Sequence, residues 1–269
     1  NVNMYNSPSF KQNLNTLIER GVKVVNAESG YLACGDVGEG RLAEPQEIVD
    51  FCTQILSPKY DLCGKTVLVT CGATLEKLDD ARFISNFSSG KMGAAIIECA
   101  LNRGATVKAV VARHTAPIDP RAEITEVQTT NQMLDAVLSL APSVDAFIMA
   151  GAPCDYRPET FSESKIKSQD LTIKFVKNPD VAAAVGKIKG DKFLCVFSAE
   201  TDNGVANATA KLVKKNADLA VLNDVKHNDV FGSDTNTVTF ITKDGSVVDY
   251  PTLDKRAVAD LILDKASGK

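Results

Sequence analysis

From residue 65 onwards, short apolar runs alternate with segments whose apolar residues recur at helical spacing. Parallel strands need a crossover between them, which is usually a helix that covers one face of the sheet. The pattern therefore predicts an α/β fold, a three-layer sandwich with a mostly parallel sheet and helices on both faces. Strands are expected at 66–71, 106–112, 123–128, 145–150, 171–176, 193–198 and 218–222, and helices at 89–102, 131–141, 180–188 and 205–216.

Two more elements follow towards the end of the chain. Residues 236–249 read as two strands around Asp244-Gly245, a pair typical of tight β-hairpin turns. Val258, Leu261 and Ile262 recur at helical spacing and predict a last amphipathic helix. The expected fold therefore carries a β-hairpin extension.

The first 60 residues differ from the rest. They contain a helix from Pro8 to Arg20, a strand at 22–25, a glycine-rich loop at 30–41 and a second helix that starts at Pro45. These elements are too few to bury a core of their own. We therefore expect three parts: a domain piece at 1–56, a linker at 57–64 and the main domain at 65–269.

Composition excludes several classes of protein. The net charge is −4 with acids and bases mixed, which argues against a nucleic-acid-binding surface. No apolar run approaches the ~20 residues of a membrane span, so no membrane partner is expected. The seven cysteines lack CxxC spacing, and the only histidines are His114 and His227. Free thiols of a cytoplasmic protein are expected rather than a zinc site.

The run from Arg82 to Gly93 is the strongest candidate for a ligand site. It follows an apolar strand and opens a helix, and Ser88, Ser89 and Gly90 fall where the helix would present unpaired N–H groups. Such an N-terminus binds anions, above all phosphate. Asn86 adds an amide. The alternative is that these small residues only cap the helix.

Polar residues also follow the other expected strands. Gly151 to Tyr156 comes after one strand, Ser198 to Thr201 after another, and Asn223-Asp224 after a third. Ligands of parallel sheets bind at these carboxyl ends. Asp155 suits a magnesium ion that also contacts phosphates, and Lys211 and Lys215 share one helix face. The alternatives are a surface turn for Asp155, a solvated face for the lysines and simple packing for Cys154.

Common nucleotide motifs do not fit. Gly64-Lys65-Thr66 resembles the end of a P-loop, but position 59 is Lys and the segment precedes its strand. The dinucleotide signature GxGxxG is absent after the first strand of this region. No tyrosine has Lys four residues later, which removes the pair used by short-chain dehydrogenases.

Residues 65–265 resemble bacterial phosphopantothenate–cysteine ligase, the ligase half of the fused decarboxylase/ligase of coenzyme A biosynthesis. The resemblance implies a Rossmann-like fold and a homodimer in which Arg82 reaches into the partner's site. One departure is Gly151-Ala-Pro-Cys154, where the family often has Ala-Ala-Val-Ala. The matching motifs are Gly72-Ala-Thr74, Arg82 to Gly93, Asp155-Tyr-Arg157, Lys165-Ile-Lys167, Lys177-Asn-Pro-Asp180, Phe197 to Thr201, Lys211/Lys215 and Asn223-Asp224.

Residues 1–52 resemble the C-terminal part of phosphopantothenoylcysteine decarboxylase. Asn1 resembles the end of that family's Pro-Ala-Met-Asn motif, and Cys34 resembles its proton donor on a flexible substrate flap. The flavin-binding front of the decarboxylase is missing from this chain. FMN and decarboxylation are therefore expected only in the full fusion.

The resemblance implies a CTP-dependent, magnesium-assisted ligation of 4′-phosphopantothenate with L-cysteine through an acyl-cytidylate. By this resemblance the catalytic residues are Arg82, Asn86, Ala152 and Lys165, with Cys34 for the decarboxylase. Asp155 would lie near magnesium, and the 4′-phosphopantothenate would contact Ser88, Ser89, Gly90 and Gly93, with Asn1 for the decarboxylase substrate. CTP would contact Met149, Ala150, Gly151, Asp155, Lys165, Lys177, Asn178, Pro179, Asp180, Phe197, Lys211 and Lys215.

Two other readings of the same residues stay open. The anion-binding helix start could belong to a non-catalytic phospho-ligand-binding protein, or the Rossmann-like layout to a nicotinamide-dependent reductase. The binding protein would release no pyrophosphate, and the reductase would bind a nicotinamide cofactor.

Overall fold

The computed structural model describes residues 2–31, 37–56, 60–167, 170–200, 202–224 and 232–268. The chain divides into two compact units, Asn1–Pro58 and Lys59–Lys269. None of the helices in these ranges is long and apolar enough to cross a membrane.

In its described residues, the smaller unit consists of short helices and a two-stranded antiparallel sheet. Ser7 caps its second helix by accepting the amide of Phe10, and the Val22 amide closes the helix end on the carbonyl of Leu17. The strand predicted at 22–25 is wrong, because the antiparallel ladder starts at Glu28 instead. The elements are α1 (Val2–Tyr5), α2 (Pro8–Glu19), β1 (Glu28–Tyr31), β2 (Val37–Arg41) and α3 (Pro45–Leu56).

The larger unit follows the predicted alternation. Its strand predicted at 171–176 is shorter and shifted, since only 175–177 pairs, with a strand that follows Asp155. The elements are β3 (Thr66–Cys71), β4 (Leu75–Lys77), β5 (Phe83–Ser85), α4 (Lys91–Asn102), β6 (Thr106–Val111), β7 (Glu123–Glu126), α5 (Thr130–Leu140), a 3-10 turn (Ala141–Ser143), β8 (Ala146–Met149), β9 (Tyr156–Pro158), β10 (Phe175–Lys177), α6 (Val181–Ile188), β11 (Phe193–Glu200), α7 (Gly204–Lys214), β12 (Leu219–Asp224), β13 (Thr235–Asn236), β14 (Val238–Thr242), β15 (Val247–Asp249), β16 (Leu253–Asp254) and α8 (Lys255–Ala266).

Within the described residues, eight strands form the main sheet in the order β15-β14-β12-β11-β8-β3-β6-β7. The pairings from β12 to β7 are all parallel, and β14 and β15 add an antiparallel edge. Chain order runs outward from β3 in one direction and from β8 in the other. This is the doubly wound arrangement, with its switch point between β3 and β8.

Both faces of the sheet are covered by helices. One buried cluster joins α4 and α8 to β3, β6, β12 and β14, and includes Ile96, Phe240 and Ile262. The other joins α5, α6 and α7 to the opposite face around Met133 and Phe147. The predicted three-layer α/β fold is thereby confirmed.

The predicted hairpin extension is also confirmed. The strands β14 and β15 pair as Thr239 with Asp249 and Ile241 with Val247. The turn between them needs a left-handed residue, and Gly245 supplies it at φ 89°.

The end of the predicted 57–64 linker is anchored in the larger unit. Leu62 is 2% exposed and joins the core under α4 and α8. Asp61 accepts two hydrogen bonds from Arg103, at 2.9 Å and 2.7 Å. Residues 60–64 therefore pack as part of this unit.

Candidate active site

A cavity of about 320 Å³ lies at the switch point of the sheet. Its volume falls in the lower range of small-molecule sites. Thr70 of β3 and the residues after β8 form its floor, and helix starts and α7 form its walls. The predicted residues that line it are Ser88, Ser89, Gly90, Met149, Ala150, Gly151, Ala152, Asp155, Asp180, Phe197, Lys211 and Lys215.

The start of α4 forms one wall of this cavity. Gly90 is its N-cap at φ 80°, and no described side chain caps it within normal geometry. The hydroxyls of Ser88 and Ser89 lie 3.4 Å and 3.5 Å from the amides of Gly90 and Lys91, which are long contacts. The helix start thus keeps amides for a ligand, as an anion site requires.

Gly93 lies outside this wall and serves packing. A Cβ placed there would come 2.8 Å from both Cβ and Sγ of Cys71 in β3. Cys71 itself is fully buried, and burial raises the pKa of its thiol to about 12. The first turn of α4 therefore approaches β3 more closely than any side chain allows.

We expect Gly93→Ala to destabilise the protein by about 1–3 kcal/mol, through overpacking against Cys71. Helix propensity alone would stabilise the same variant by about 1 kcal/mol. The sign of the change in urea unfolding free energy therefore separates the two effects. A stabilised variant would contradict the close approach.

Asn86 does not line the cavity itself but joins the loop after β3 to the loop after β8. Its side-chain amide donates to the carbonyls of Ala152 and Pro153, both at 3.1 Å. The loops after β3 and β8 are also joined by the amide of Ala152, which donates to Gly72 at 2.8 Å. The structure thus brings Asn86 and Ala152 into direct contact.

Arg82 and the Lys165 segment meet at a buried carboxylate. Asp79 is 1% exposed and accepts from Nε and Nη2 of Arg82, at 3.0 Å and 2.5 Å. It also accepts from the amide of Ile166, whose carbonyl accepts from Arg82 at 2.9 Å. The Arg82 guanidinium holds the pKa of Asp79 far below its usual range. This pair anchors the segment that carries Lys165.

Asp79→Asn is expected to loosen the segment around Lys165, because the amide cannot accept from Arg82 and Ile166 as a carboxylate does. Trypsin should then cleave after Lys165 and Lys167 faster than in the wild type. Asp119→Asn is a matched control, since it also removes an Arg-paired carboxylate, at exposed Arg121. Equal cleavage rates in both variants would contradict the anchoring role.

The same variant should change the acid sensitivity. A carboxyl with a lowered folded pKa contributes stability above its ordinary pKa, and this contribution is lost as pH falls. The wild type should therefore lose urea stability steeply between about pH 4 and pH 2, and Asp79→Asn should lose less. If the urea stabilities of the wild type and Asp79→Asn fall in parallel with pH, Asp79 is not the cause of the acid sensitivity.

A buried polar network holds the loop behind the cavity. The Asn178 amide donates to Glu76 Oε1 at 3.0 Å and to the carbonyl of Cys154 at 2.9 Å. Glu76 also accepts the amide of Thr130 at 2.9 Å, and Arg157 donates to the Asn178 oxygen at 3.0 Å. Asn178 is 6% exposed and does not line the cavity. Its side chain therefore holds the surrounding loops together without facing the cavity.

Lys211 of α7 and Lys215, the residue that caps this helix, line the cavity but already carry partners. Lys211 lies 2.5 Å from Glu200, and Lys215 lies 3.1 Å from Asp180. Although burial opposes its charged form, the Ala183 amide and Lys215 hold the pKa of Asp180 below its ordinary value. An incoming polyphosphate would have to exchange with these carboxylates.

Other predicted residues lie away from the cavity lining. Lys165 is exposed in its loop, and Lys177 lies exposed in β10 with Pro179 after it. Asn1 and Cys34 lie outside the described residues. No group of three metal-ligating side chains occurs in the described part of the chain, so a metal here would rely on Asp155 and ligand oxygens.

Comparisons with known proteins cover nearly the whole chain. The family described as DNA/pantothenate metabolism flavoprotein C-terminal domain matches residues 62–268, and the family described as Flavoprotein matches residues 1–57. The coenzyme A biosynthesis bifunctional protein CoaBC of Vibrio cholerae is 40% identical over 98% of this chain and 67% of its own length. CoaBC of Escherichia coli K12 is 39% identical, with the same coverage.

Solved structures agree. The crystal structure of the C-terminal domain of CoaBC matches with a TM-score of 0.68 and 36% identity, over 78% of this chain and 97% of that one. Fold and cavity together define a doubly wound α/β protein with a cavity at its switch point, where ligands of such sheets bind. The chain belongs to the DNA/pantothenate metabolism flavoprotein C-terminal domain family and is homologous to CoaBC. The family resemblance of residues 65–265 is thereby confirmed.

Sequence reasoning missed several residues around the site. Asp79 and Glu76 are buried carboxylates that hold its loops. Asn236 and Lys255 line the cavity from the far end of the chain. The two carboxylates lie inside a stretch read as loop, and Lys255 looks like an ordinary polar residue at a helix start. No local signal marked any of them.

Proposed function

We propose that this chain ligates 4′-phosphopantothenate with L-cysteine, consuming CTP and releasing CMP and pyrophosphate. The observation that carries the proposal is that one cavity combines an amide-rich helix start, Ala152, an exposed Asp155 and a lysine pair, and that Asn86 donates to the carbonyl of Ala152 in this lining. The names of the homologues, which refer to coenzyme A biosynthesis, support the same reaction.

The chemistry needs two half-reactions. A carboxylate is a poor electrophile, because attack must add charge to an anion. In the first step its oxygen attacks the α-phosphorus of CTP, and pyrophosphate leaves. In the second step the cysteine amine attacks the acyl carbon, loses a proton and displaces CMP. Both steps depend on positioning and on stabilising charge that develops in the transition state.

The chain supplies groups for both steps. Lys211 and Lys215 would bind the triphosphate of CTP once Glu200 and Asp180 release them. Lys165 would approach from its anchored loop to stabilise charge in cytidylate formation. Asn86 and Ala152 would orient the acyl group for attack by cysteine. Ser88, Ser89 and Gly90 would bind the 4′-phosphate.

Magnesium fits the donor set at Asp155. The carboxylate is exposed and lines the cavity, as a site completed by phosphate oxygens requires. The bound ion would neutralise charge on the polyphosphate.

The proposal is tested by one assay. The protein is incubated with 4′-phosphopantothenate, cysteine, CTP and magnesium, and CMP and pyrophosphate are measured, with ATP replacing CTP in a parallel arm. We expect one CMP and one pyrophosphate per amide formed, and faster turnover with CTP. Binding without pyrophosphate release would support a phospho-ligand-binding protein, and nicotinamide binding would support a reductase.

A homodimer with shared sites belongs to the same proposal. Mixing Arg82→Ala subunits with Lys165→Gln subunits should restore part of the activity, because one hybrid site then keeps both groups. Failure of the mixture, in subunits shown to exchange, would place both groups in one chain's site. In this chain Arg82 already binds the Lys165 segment through Asp79.

The Flavoprotein match at residues 1–57 supports FMN and decarboxylase chemistry in the longer proteins of this family. In those proteins Cys34 would donate the proton and Asn1 would contact the substrate. We expect this chain alone to bind no flavin and to release no carbon dioxide from phosphopantothenoylcysteine.

A further inference from the structure

Lys255, the first residue of α8, is a charged side chain at the cavity that the proposed reaction leaves without a role. It is 8% exposed. Its ammonium donates to the carbonyl of Ser233 at 2.6 Å, the carbonyl of Thr235 at 3.2 Å and Oδ1 of Asn236 at 2.8 Å. All three acceptors are neutral. The hydrogen bonds are satisfied, but none of these acceptors carries a negative charge.

No carboxylate of the described residues forms an ion pair with Lys255. Asp234 belongs to the segment that Lys255 binds, but its carboxylate lies 2.6 Å from the ammonium of Lys91. Burial, and then repulsion by Lys91, lower the pKa of Lys255 to about 8. Asp234 opposes this lowering, but it is paired with Lys91. A buried cation without an ion pair of its own among the described residues is costly, since such a group is normally paired.

The charge of Lys255 lies on the wall that holds the α4 start. Lys91, Lys255 and Asn236 line the same cavity as Ser88 to Gly90. The N-terminus of α4 adds the positive end of its dipole to this wall. Asn236 is 4% exposed, and its side-chain amide donates to Oδ1 of Asn223 at 3.4 Å. Because Asp234 pairs with Lys91, Lys255 and the helix start are the positive groups of this wall that no described carboxylate pairs.

We propose that Lys255 is a positioning and specificity residue of the phosphate subsite, whose charge is balanced by the phosphate monoester dianion of the bound substrate. This inference rests on the proposed function, and it names the end of the cavity where the phosphate binds. Lys211 and Lys215 differ, because each has its own carboxylate. Lys255 thus favours a phosphorylated substrate over its alcohol, which cannot supply the missing charge.

Isothermal titration of 4′-phosphopantothenate, pantothenate and CTP tests this with three variants. Lys255→Met should weaken 4′-phosphopantothenate binding at least tenfold, with pantothenate and CTP changed less than threefold. Lys255→Arg should recover part of the loss. Lys265→Met is the matched control, since it removes an exposed charge from the last turn of the same helix. In turnover, Lys255→Met should raise the KM for 4′-phosphopantothenate more than it lowers kcat.

The wild type alone gives a second test. Its affinity for 4′-phosphopantothenate should fall above about pH 8, where free Lys255 loses its proton, and Lys255→Met should lack this fall. Protonation of the phosphate, with a second pKa of about 6, should weaken binding at low pH, and less in Lys255→Met, which lacks the charge that the dianion balances. Charged groups of the surrounding elements are Lys91, Glu98, Asp119, Asp234, Asp254, Arg256 and Asp260.

The outcomes separate this inference from the ligase proposal. Unchanged affinity in Lys255→Met, in a chain that makes amide, would overturn the role of Lys255 alone. Binding of 4′-phosphopantothenate that depends on Lys255, without pyrophosphate release, would support the phosphate subsite and contradict the ligase proposal. If Lys255→Met does not fold, the inference is tested by the affinity of Lys255→Arg and by the pH dependence of the wild type. A wild-type affinity for 4′-phosphopantothenate that does not fall above pH 8 overturns the inference.

Discussion

Lys165→Gln is expected to slow pyrophosphate release by about 10²–10³-fold, as the loss of one preorganised charged donor does. The side chain is exposed, but its segment is not free. The Ile166 amide donates to Asp79 at 3.1 Å, and the Ile166 carbonyl accepts from Arg82 at 2.9 Å. The backbone beside Lys165 is thus held on both sides, which lets a flexible side chain act from a defined origin.

The measurement is a rapid quench with labelled CTP, with and without cysteine. Lys167→Gln is the matched control, because it makes the same charge change two residues away on the same exposed loop. We expect that variant to retain most of the rate. Equal losses in both variants would mean that the loop contributes only general positive charge.

Asn86→Ala should separate the two half-reactions. Its side chain is uncharged and contacts the Ala152 and Pro153 carbonyls, so it can orient an acyl group but cannot neutralise polyphosphate. The variant should release about one pyrophosphate per site and then stall with acyl-cytidylate bound. No intermediate in Asn86→Ala, or its accumulation in Lys165→Gln, would reverse the two roles.

Arg103→Met should lower the free energy of unfolding by about 3 kcal/mol, the low end for breaking a buried ion pair. Arg103 is 3% exposed and contacts Asp61 at 2.7 Å, Asp264 at 2.9 Å and Asp260 at 3.5 Å. The variant leaves these carboxylates close together without a cation. The partners are themselves partly exposed, which keeps the loss below the upper limit.

Urea unfolding measures this effect. Arg121→Met is the control, since its pair with Asp119 is exposed on the arginine side and should contribute less than about 1 kcal/mol. The Arg103 contacts also hold residues 60–64 against α4 and α8, so proteolysis at this segment should increase. A loss no larger than in Arg121→Met would show that the cluster is dispensable.

The sequence predicted the elements well where local periodicity was strong. The strand at 66–71 and the last helix with Val258 and Ile262 lie where their apolar spacing placed them. Buried parallel strands read as apolar runs, and helices bury one stripe, so each pattern is visible within a single segment. The strand at 22–25 was wrong because strand pairing depends on a partner that the segment itself does not contain.

The motif residues were visible in the sequence, but their surroundings were not. Order along the chain could place Asn86 after one strand and Ala152 after another, and only the sheet order brought them into contact. Only the tertiary structure likewise shows which carboxylates pair with Lys211 and Lys215. The same holds for the burial of Asn178 and for the missing ion pair of Lys255. Periodicity is a local property, set within a few turns of chain. Charge balance and burial depend on residues that lie far apart in the sequence, such as Arg103 and Asp260 at 157 positions, and that meet only once the doubly wound sheet has formed.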